Sequence, residues 1–202
     1  MSVDVPVRCE CGKIRGVAKS VSRRSGTRCV CYCGDCQAFA RFTEREGVLD
    51  AWGGTDIWQM SPGDLTFEID GDALACVRLS EKGMFRWYCG ECKTPIANTM
   101  GASLPFAGVL HTFMDHASSG VARDELLGVG HPVQTESAYG TGAPKQKASA
   151  IFSVILRTLA MVLGRKIIGR GKTSPFFDAK TGAPKATPKV LSADERKKLE
   201  RS

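Results

Sequence analysis

The sequence predicts a mainly β domain followed by a C-terminal helical extension, and three features carry that prediction. From residue 7 to about residue 115, short runs of alternating apolar and polar side chains are broken by Gly, Pro, Asp and Ser clusters, the rhythm of short strands in a β-dominated fold. Cysteine pairs stand at the ends of those runs, beside glycines. Only one later stretch, Ala148 to Ile168, sustains an i, i+3, i+4 apolar period.

The elements follow in order. Val7-Arg8-Cys9 leads into a turn at Cys11-Gly12, and Lys13 to Lys19 alternates after it. Thr27 to Cys33 alternates again and ends in a Cys-Gly-Asp-Cys turn, and Gln37 to Phe42 reads as one or two helical turns. Gly53-Gly54 opens a strand from Thr55 to Met60, closed by Ser61-Pro62-Gly63-Asp64. Leu65 to Ile69 and Leu74 to Leu79, joined by Asp70-Gly71-Asp72, read as a hairpin. Met84 to Tyr88 then delivers Cys89. These elements define a β domain over 1–116, a small and polar connector over 117–147, and a helix with a basic, partly irregular tail over 148–202. In the helix, Ile151, Val154, Ile155, Leu159, Val162 and Leu163 form the apolar stripe, widened by Phe152, Leu156 and Met161. Its expected fate is packing on the β core or pairing in a homo-oligomer. A basic interfacial helix, with Arg165, Lys166 and Arg170 at lipid headgroups, is the alternative. Arg157 interrupts it, so no transmembrane segment is expected. Ser192 is a candidate N-cap for a short final helix.

The 202 residues, 43% apolar and 24% charged, are ordinary for a globular chain. No apolar leader precedes Cys9, so a reducing, cytoplasmic setting is expected. The net charge of +7 is uneven. Residues 1–140 hold 14 Lys and Arg against 17 Asp and Glu, whereas the rest holds 14 against 4. A slightly acidic body with a basic tail, lacking interleaved aromatics, argues against a specific nucleic-acid partner.

Nine cysteines in a reducing compartment point to metal rather than disulfides. Cys9 and Cys11 form a C-x-C, Cys31, Cys33 and Cys36 a C-x-C-x-x-C, and Cys89 and Cys92 a C-x-x-C. Thiolates two or three residues apart on a turn reach one Zn2+ without strain, although sets of four also suit an iron–sulfur cluster. Pairing the first and last knuckles makes a closed structural site of Cys9, Cys11, Cys89 and Cys92. Cys31, Cys33 and Cys36 make a second site with one position free for water or a substrate thiol. Cys29 lies on the same strand face as Cys31 and offers a fourth ligand that would close it. Cys76, mid-strand, reads as core.

This order of knuckles resembles the glutathione-dependent formaldehyde-activating enzyme family, also called the GFA or CENP-V domain. Gly12, Ile14, Gly16 and Gln37 fit its N-terminal half; Ser80, Gly83, Arg86, Thr94 and Pro95 fit the stretch around the last knuckle. The resemblance covers about residues 7–110. It implies an Mss4-like zinc-bound β fold, two zinc ions, and a carbon–sulfur lyase that joins glutathione or another small thiol to a small aldehyde at the second zinc. Tyr32, Lys93 and His111 stand where that family commonly has His, Gly and Asp. The alternative is a non-catalytic binding module with two structural zincs and a basic interaction tail.

Among the remaining candidates, His111, His116 and His131 read as non-metal histidines. Trp52, Trp58, Phe85 and Trp87 read as core rings rather than a pocket lining. Arg86 and Arg41 are candidate partners for a substrate carboxylate, against a plain salt bridge.

Overall fold

A computed structural model describes residues 2–167 and 174–200. In chain order the elements are β1 (Val3–Arg8), β2 (Ile14–Val21), β3 (Thr27–Cys31), α1 (Gly34–Phe42), β4 (Thr55–Met60), β5 (Leu65–Ile69), β6 (Leu74–Arg78), β7 (Phe85–Cys89), β8 (Pro95–Thr99), β9 (Ala107–Leu110), α2 (Arg123–Leu127), β10 (His131–Val133), α3 (Ala148–Ile167), β11 (Lys189–Val190) and α4 (Ala193–Lys197). The protein is mainly β with a C-terminal helical region, as expected.

Among the described residues the strands form two sheets. One is three-stranded in the order β1-β2-β5, and the other eight-stranded in the order β10-β3-β4-β9-β8-β7-β6-β11. All pairs are antiparallel except the two edges, where β10 runs parallel to β3 and β11 parallel to β6. Val5, Val7, Ile14 and Val21 of the small sheet share one core with Trp58, Trp87, Ile96 and Val109 of the large one. Each large side chain taken fully out of water there contributes about 1.5–3 kcal/mol.

One expectation is corrected. Leu65–Ile69 and Leu74–Arg78 are strands, but they do not form a hairpin. β5 pairs with β2, whereas β6 pairs with β7, so Asp70-Gly71-Asp72 carries the chain between sheets. The choice is made by cross-strand partners. Arg15 on β2 holds Glu68 and Asp70, each at 3.0 Å. Gly16 lets β5 come close, since a Cβ there would stand 1.8 Å from the Thr66 carbonyl oxygen.

The described tail is mostly irregular with a short final helix, as expected, and it is anchored in the core. Phe176 and Phe177 are buried in the core. Phe176 packs against Trp87 at 5.1 Å and Phe67 at 5.3 Å, and Phe177 meets Phe85 edge-on at 5.3 Å. α4 begins at Ser192 with a full capping box, in which Ser192 and Glu195 cap each other's backbone N–H.

α3 docks on β3, β4 and β10. Val154 and Val162 are buried there, Thr158 donates to Gln59 Oε1 at 2.6 Å, and Arg157 donates to the carbonyls of Arg23 and Gly26. Phe152, Ile155, Leu156, Leu159 and Leu163 of the expected stripe are instead exposed. Ile168 and Arg170 lie outside the described residues. Among the described residues no helix is long and apolar enough to cross a membrane.

Candidate metal centres

The first thiol set joins the two sheets. Cys9 and Cys11 follow β1, where Gly12 N–H donates to the Cys9 carbonyl at 3.0 Å and Gly12 takes φ 75°. Cys89 ends β7, and Lys93 N–H donates to its carbonyl at 2.9 Å from the left-handed region, φ 61°. Thr94 stitches the knuckles together: its hydroxyl accepts from Glu10 N–H at 3.1 Å and lies 3.1 Å from Cys92 Sγ. The four sulfurs lie within 4.8 Å of one another, with Cys9–Cys11 at 3.5 Å and Cys11–Cys89 at 3.7 Å. A tetrahedral ion with ~2.3 Å bonds to sulfur has S···S edges of about 3.8 Å. The set therefore fits one tetrahedral metal ion, and it can hold one.

The protonation of these thiols points the same way. Burial pushes Cys89 up to about 12 and also raises Cys9. Cys92, against the push of its own burial, is drawn down to about 6 by hydrogen bonds from Thr94 and Cys11. Four neighbouring sulfurs cannot all ionise without a cation among them.

The second set is built on one short span. Cys31 ends β3, and Cys33 caps α1, its sulfur accepting from Cys36 N–H at 3.4 Å. Cys36 sits in the first turn, so the sulfurs meet the positive end of the helix, which favours thiolate. Cys31, Cys33 and Cys36 lie within 4.8 Å of one another, with Cys31–Cys33 at 3.4 Å, and can hold a second ion.

Arg86 tunes this set from β7, on the same face of the sheet. Its guanidinium is buried and reaches Cys36 Sγ at 3.9 Å, Asn98 Oδ1 at 3.1 Å and Asp35 Oδ2 at 3.5 Å. Hydrogen bonds from Cys31 and Cys33, then the Arg86 charge, hold Cys36 well below the ordinary thiol range despite its burial. Cys31 moves upward because its proton is shared with Cys33 and Cys36.

Cys29 does point to the same side as Cys31, but it is not among the thiols within 4.8 Å of one another. Its sulfur accepts from Gln59 Nε2 at 3.5 Å, and burial pushes its thiol up to about 12. Cys76 is buried, as expected.

A pocket of about 610 Å³ opens over the second set. Cys29, Cys31, Cys33 and Cys36 line it, with Ile57, Met84, Phe106 and Val133 as its apolar wall. Asp35, Arg86, Asn98, Gln59, Arg196 and Glu200 supply its polar groups. The last two come from the end of the chain, where Arg196 pairs with Asp35 at 2.9 Å. Nothing in the spacing of Arg196 and Glu200 announced this; only the Ser192 cap marked their helix.

Other candidates fall elsewhere. Arg41 ties down the tail, donating to the Leu199 carbonyl at 2.6 Å, and does not line the pocket. Tyr32 is buried and donates to Asp50 Oδ2 at 2.8 Å, away from the pocket. Trp58 and Trp87 are core, Phe85 packs against that core, and Trp52 Nε1 donates to the Thr141 carbonyl.

None of His111, His116 and His131 lines the pocket or joins a thiol set. His111 and His116 adjoin a polar cluster in which Arg28 holds Asp56 at 2.6 Å and Asp124 at 2.7 Å, and Arg123 holds Asp56 at 3.2 Å. Burial first, and the neighbouring cations next, lower both imidazoles, His116 to about 4. Arg28 and Asp56 alternate along their strands with Cys29 and Ile57, so this cluster occupies the opposite face from the pocket.

Over residues 1–188 the sequence matches the model of a family of unknown function, DUF6151. The chain belongs to this family. Both thiol sets and most of the pocket fall within the DUF6151 span, whereas Arg196 and Glu200 lie beyond it. A comparison with curated proteins finds no match.

Proposed function

We propose that this DUF6151 protein is a zinc-dependent carbon–sulfur lyase of the GFA type, acting on the adduct of a small thiol and a small aldehyde. The observation that carries the reading is the contrast at the pocket floor. Three sulfurs converge there, while the one further thiol, Cys29, is engaged by Gln59. A zinc ion held by Cys31, Cys33 and Cys36 would keep a position for a thiol and lower its pKa, supplying a nucleophile or leaving group at neutral pH. The mainly β body with knuckles at the ends of β1 and β7 suits the Mss4-like fold that the resemblance implies.

In the synthetic direction the thiol sulfur bonds to the aldehyde carbon, and the carbonyl electron pair moves to oxygen, which takes a proton. The lyase direction reverses each change. The residues of this chain hold the partners. Arg86 steadies the Cys36 sulfur and is itself fixed by Asn98. Arg86 and Arg196, which share Asp35, would meet an acidic group such as a glutathione carboxylate, and Glu200 would meet an ammonium. Ile57, Met84, Phe106 and Val133 exclude water around the aldehyde.

The test is glutathione added to the cobalt(II)-substituted protein, read by the visible spectrum, alongside the rate of glutathione–formaldehyde adduct formation followed by NMR. A shifted spectrum and an accelerated rate are expected, both lost in Cys33→Ser. A spectrum unmoved by glutathione in a protein holding two metal ions would instead make both centres structural and the chain a binding module.

A further inference from the structure

α3 carries a feature that the metal centres do not use. Phe152, Ile155, Leu156, Leu159 and Leu163 are 51% to 68% exposed on a helix that is otherwise seated on the sheet. At 3.6 residues per turn these five positions fall within about 100° of arc, a single stripe along three turns. Soluble monomers rarely leave so continuous an apolar surface open.

The charge of the sequence that carries the stripe selects its occupant. Residues 137–177 contain no Asp or Glu, against seven cations: Lys145, Lys147, Arg157, Arg165, Lys166, Arg170 and Lys172. Arg157 is turned inward onto backbone carbonyls, and the segment keeps its net positive charge without it. A second copy of the chain would bring a second set of cations with no acid in the segment to pair them. An anionic lipid surface satisfies both features at once, since it accepts the apolar stripe among its acyl chains and the cations at its headgroups.

We propose that α3 is an interfacial anchor that lays this protein on membranes containing acidic phospholipid. Ile151 to Leu163 lies in the plane of the surface and does not cross it, in keeping with its length and hydropathy. The side bearing Val154, Thr158 and Val162 stays on the sheet, so docking needs no unfolding of the helix. The anchor stands independently of the reaction assigned to the pocket.

The experiment is co-sedimentation of the full chain with sucrose-loaded vesicles, either phosphatidylcholine alone or phosphatidylcholine with phosphatidylserine. Binding to the phosphatidylserine vesicles is expected to be at least about tenfold stronger and to weaken as salt is raised. The double substitution Leu156→Asp with Leu159→Asp lies on the exposed face. It should leave the melting curve unchanged and reduce binding by about tenfold or more. Equal binding to both vesicle types would overturn the proposal. So would failure to sediment with either, or a dimer in analytical ultracentrifugation that the double substitution dissolves, which would assign the stripe to a second copy.

Discussion

The two thiol sets are made of the same chemistry and differ in almost everything around it. Cys9 and Cys11 meet Cys89 and Cys92 across some 80 residues and two sheets, whereas Cys31, Cys33 and Cys36 lie within one strand end and one helix turn. Four sulfurs complete a tetrahedron, and three leave a corner that faces a pocket. A metal ion held by the first set would therefore contribute to folding, because no unfolded chain holds those knuckles together. The second is local enough to form and empty without moving the sheets. On the proposed reading, long sequence separation marks a structural clip and short separation beside a cavity marks the site of chemistry.

The largest test of this comparison removes one ligand from each set. Cys89→Ser should abolish the cooperative thermal transition, since metal binding at a structural thiolate site is worth on the order of 10 kcal/mol. Cys33→Ser should keep that transition and lose only one metal ion. Equal loss of structure in both would erase the distinction.

Glycines near each set sharpen it further. Gly16→Ala places a methyl 1.8 Å from the Thr66 carbonyl oxygen, and a cost of about 3–5 kcal/mol in urea unfolding is expected for so unyielding a clash. Gly34→Ala, where a Cβ meets nothing within 4 Å at the start of α1, should change stability by no more than about 1 kcal/mol, in the favourable direction.

Metal release should separate the sets in time and in acid. A chelator should strip the pocket ion first, as seen by the loss of one equivalent before any change in circular dichroism. Falling pH weakens both sites, since thiols must lose their protons to bind. A further acid component comes from His116. Burial lowers its imidazole from the ordinary 6.5 to about 4, so the stability it contributes is present above pH 6.5 and is lost as pH falls through 4. His116→Gln should flatten that part of the stability profile and leave metal release unchanged.

The smallest effect is expected at Lys93, held at φ 61° in the first set's second knuckle. Lys93→Gly should relieve that backbone and raise stability by about 0.5–1 kcal/mol, with the metal content of the second set unchanged.

Much of this was readable from local signals. The knuckles name their own ligands by spacing, Thr55–Met60 is bounded by glycines and a turn, and Ser192 announces α4. β8 and β9 were not legible, because every residue in them is buried and no alternation survives. Nor was the partner of β5, since an Asp-Gly-Asp turn looks the same whether the chain folds back or changes sheets. The pocket was the least legible part. Its polar wall joins Asp35 to Arg196, 161 residues apart, and its floor depends on the register that sets Cys29 opposite Ile57. Period 2 placed Cys29 correctly beside Cys31, but only the register shows that Gln59 occupies it.

The most direct measurement is the metal content, by elemental analysis, of the wild type, Cys29→Ala and Cys33→Ser purified without added metal. Two ions in the wild type, two in Cys29→Ala and one in Cys33→Ser are the predicted result, leaving a three-thiolate centre open to the pocket. One ion in the wild type, or the loss of an ion in Cys29→Ala, would contradict it, because the second centre would then be absent or closed.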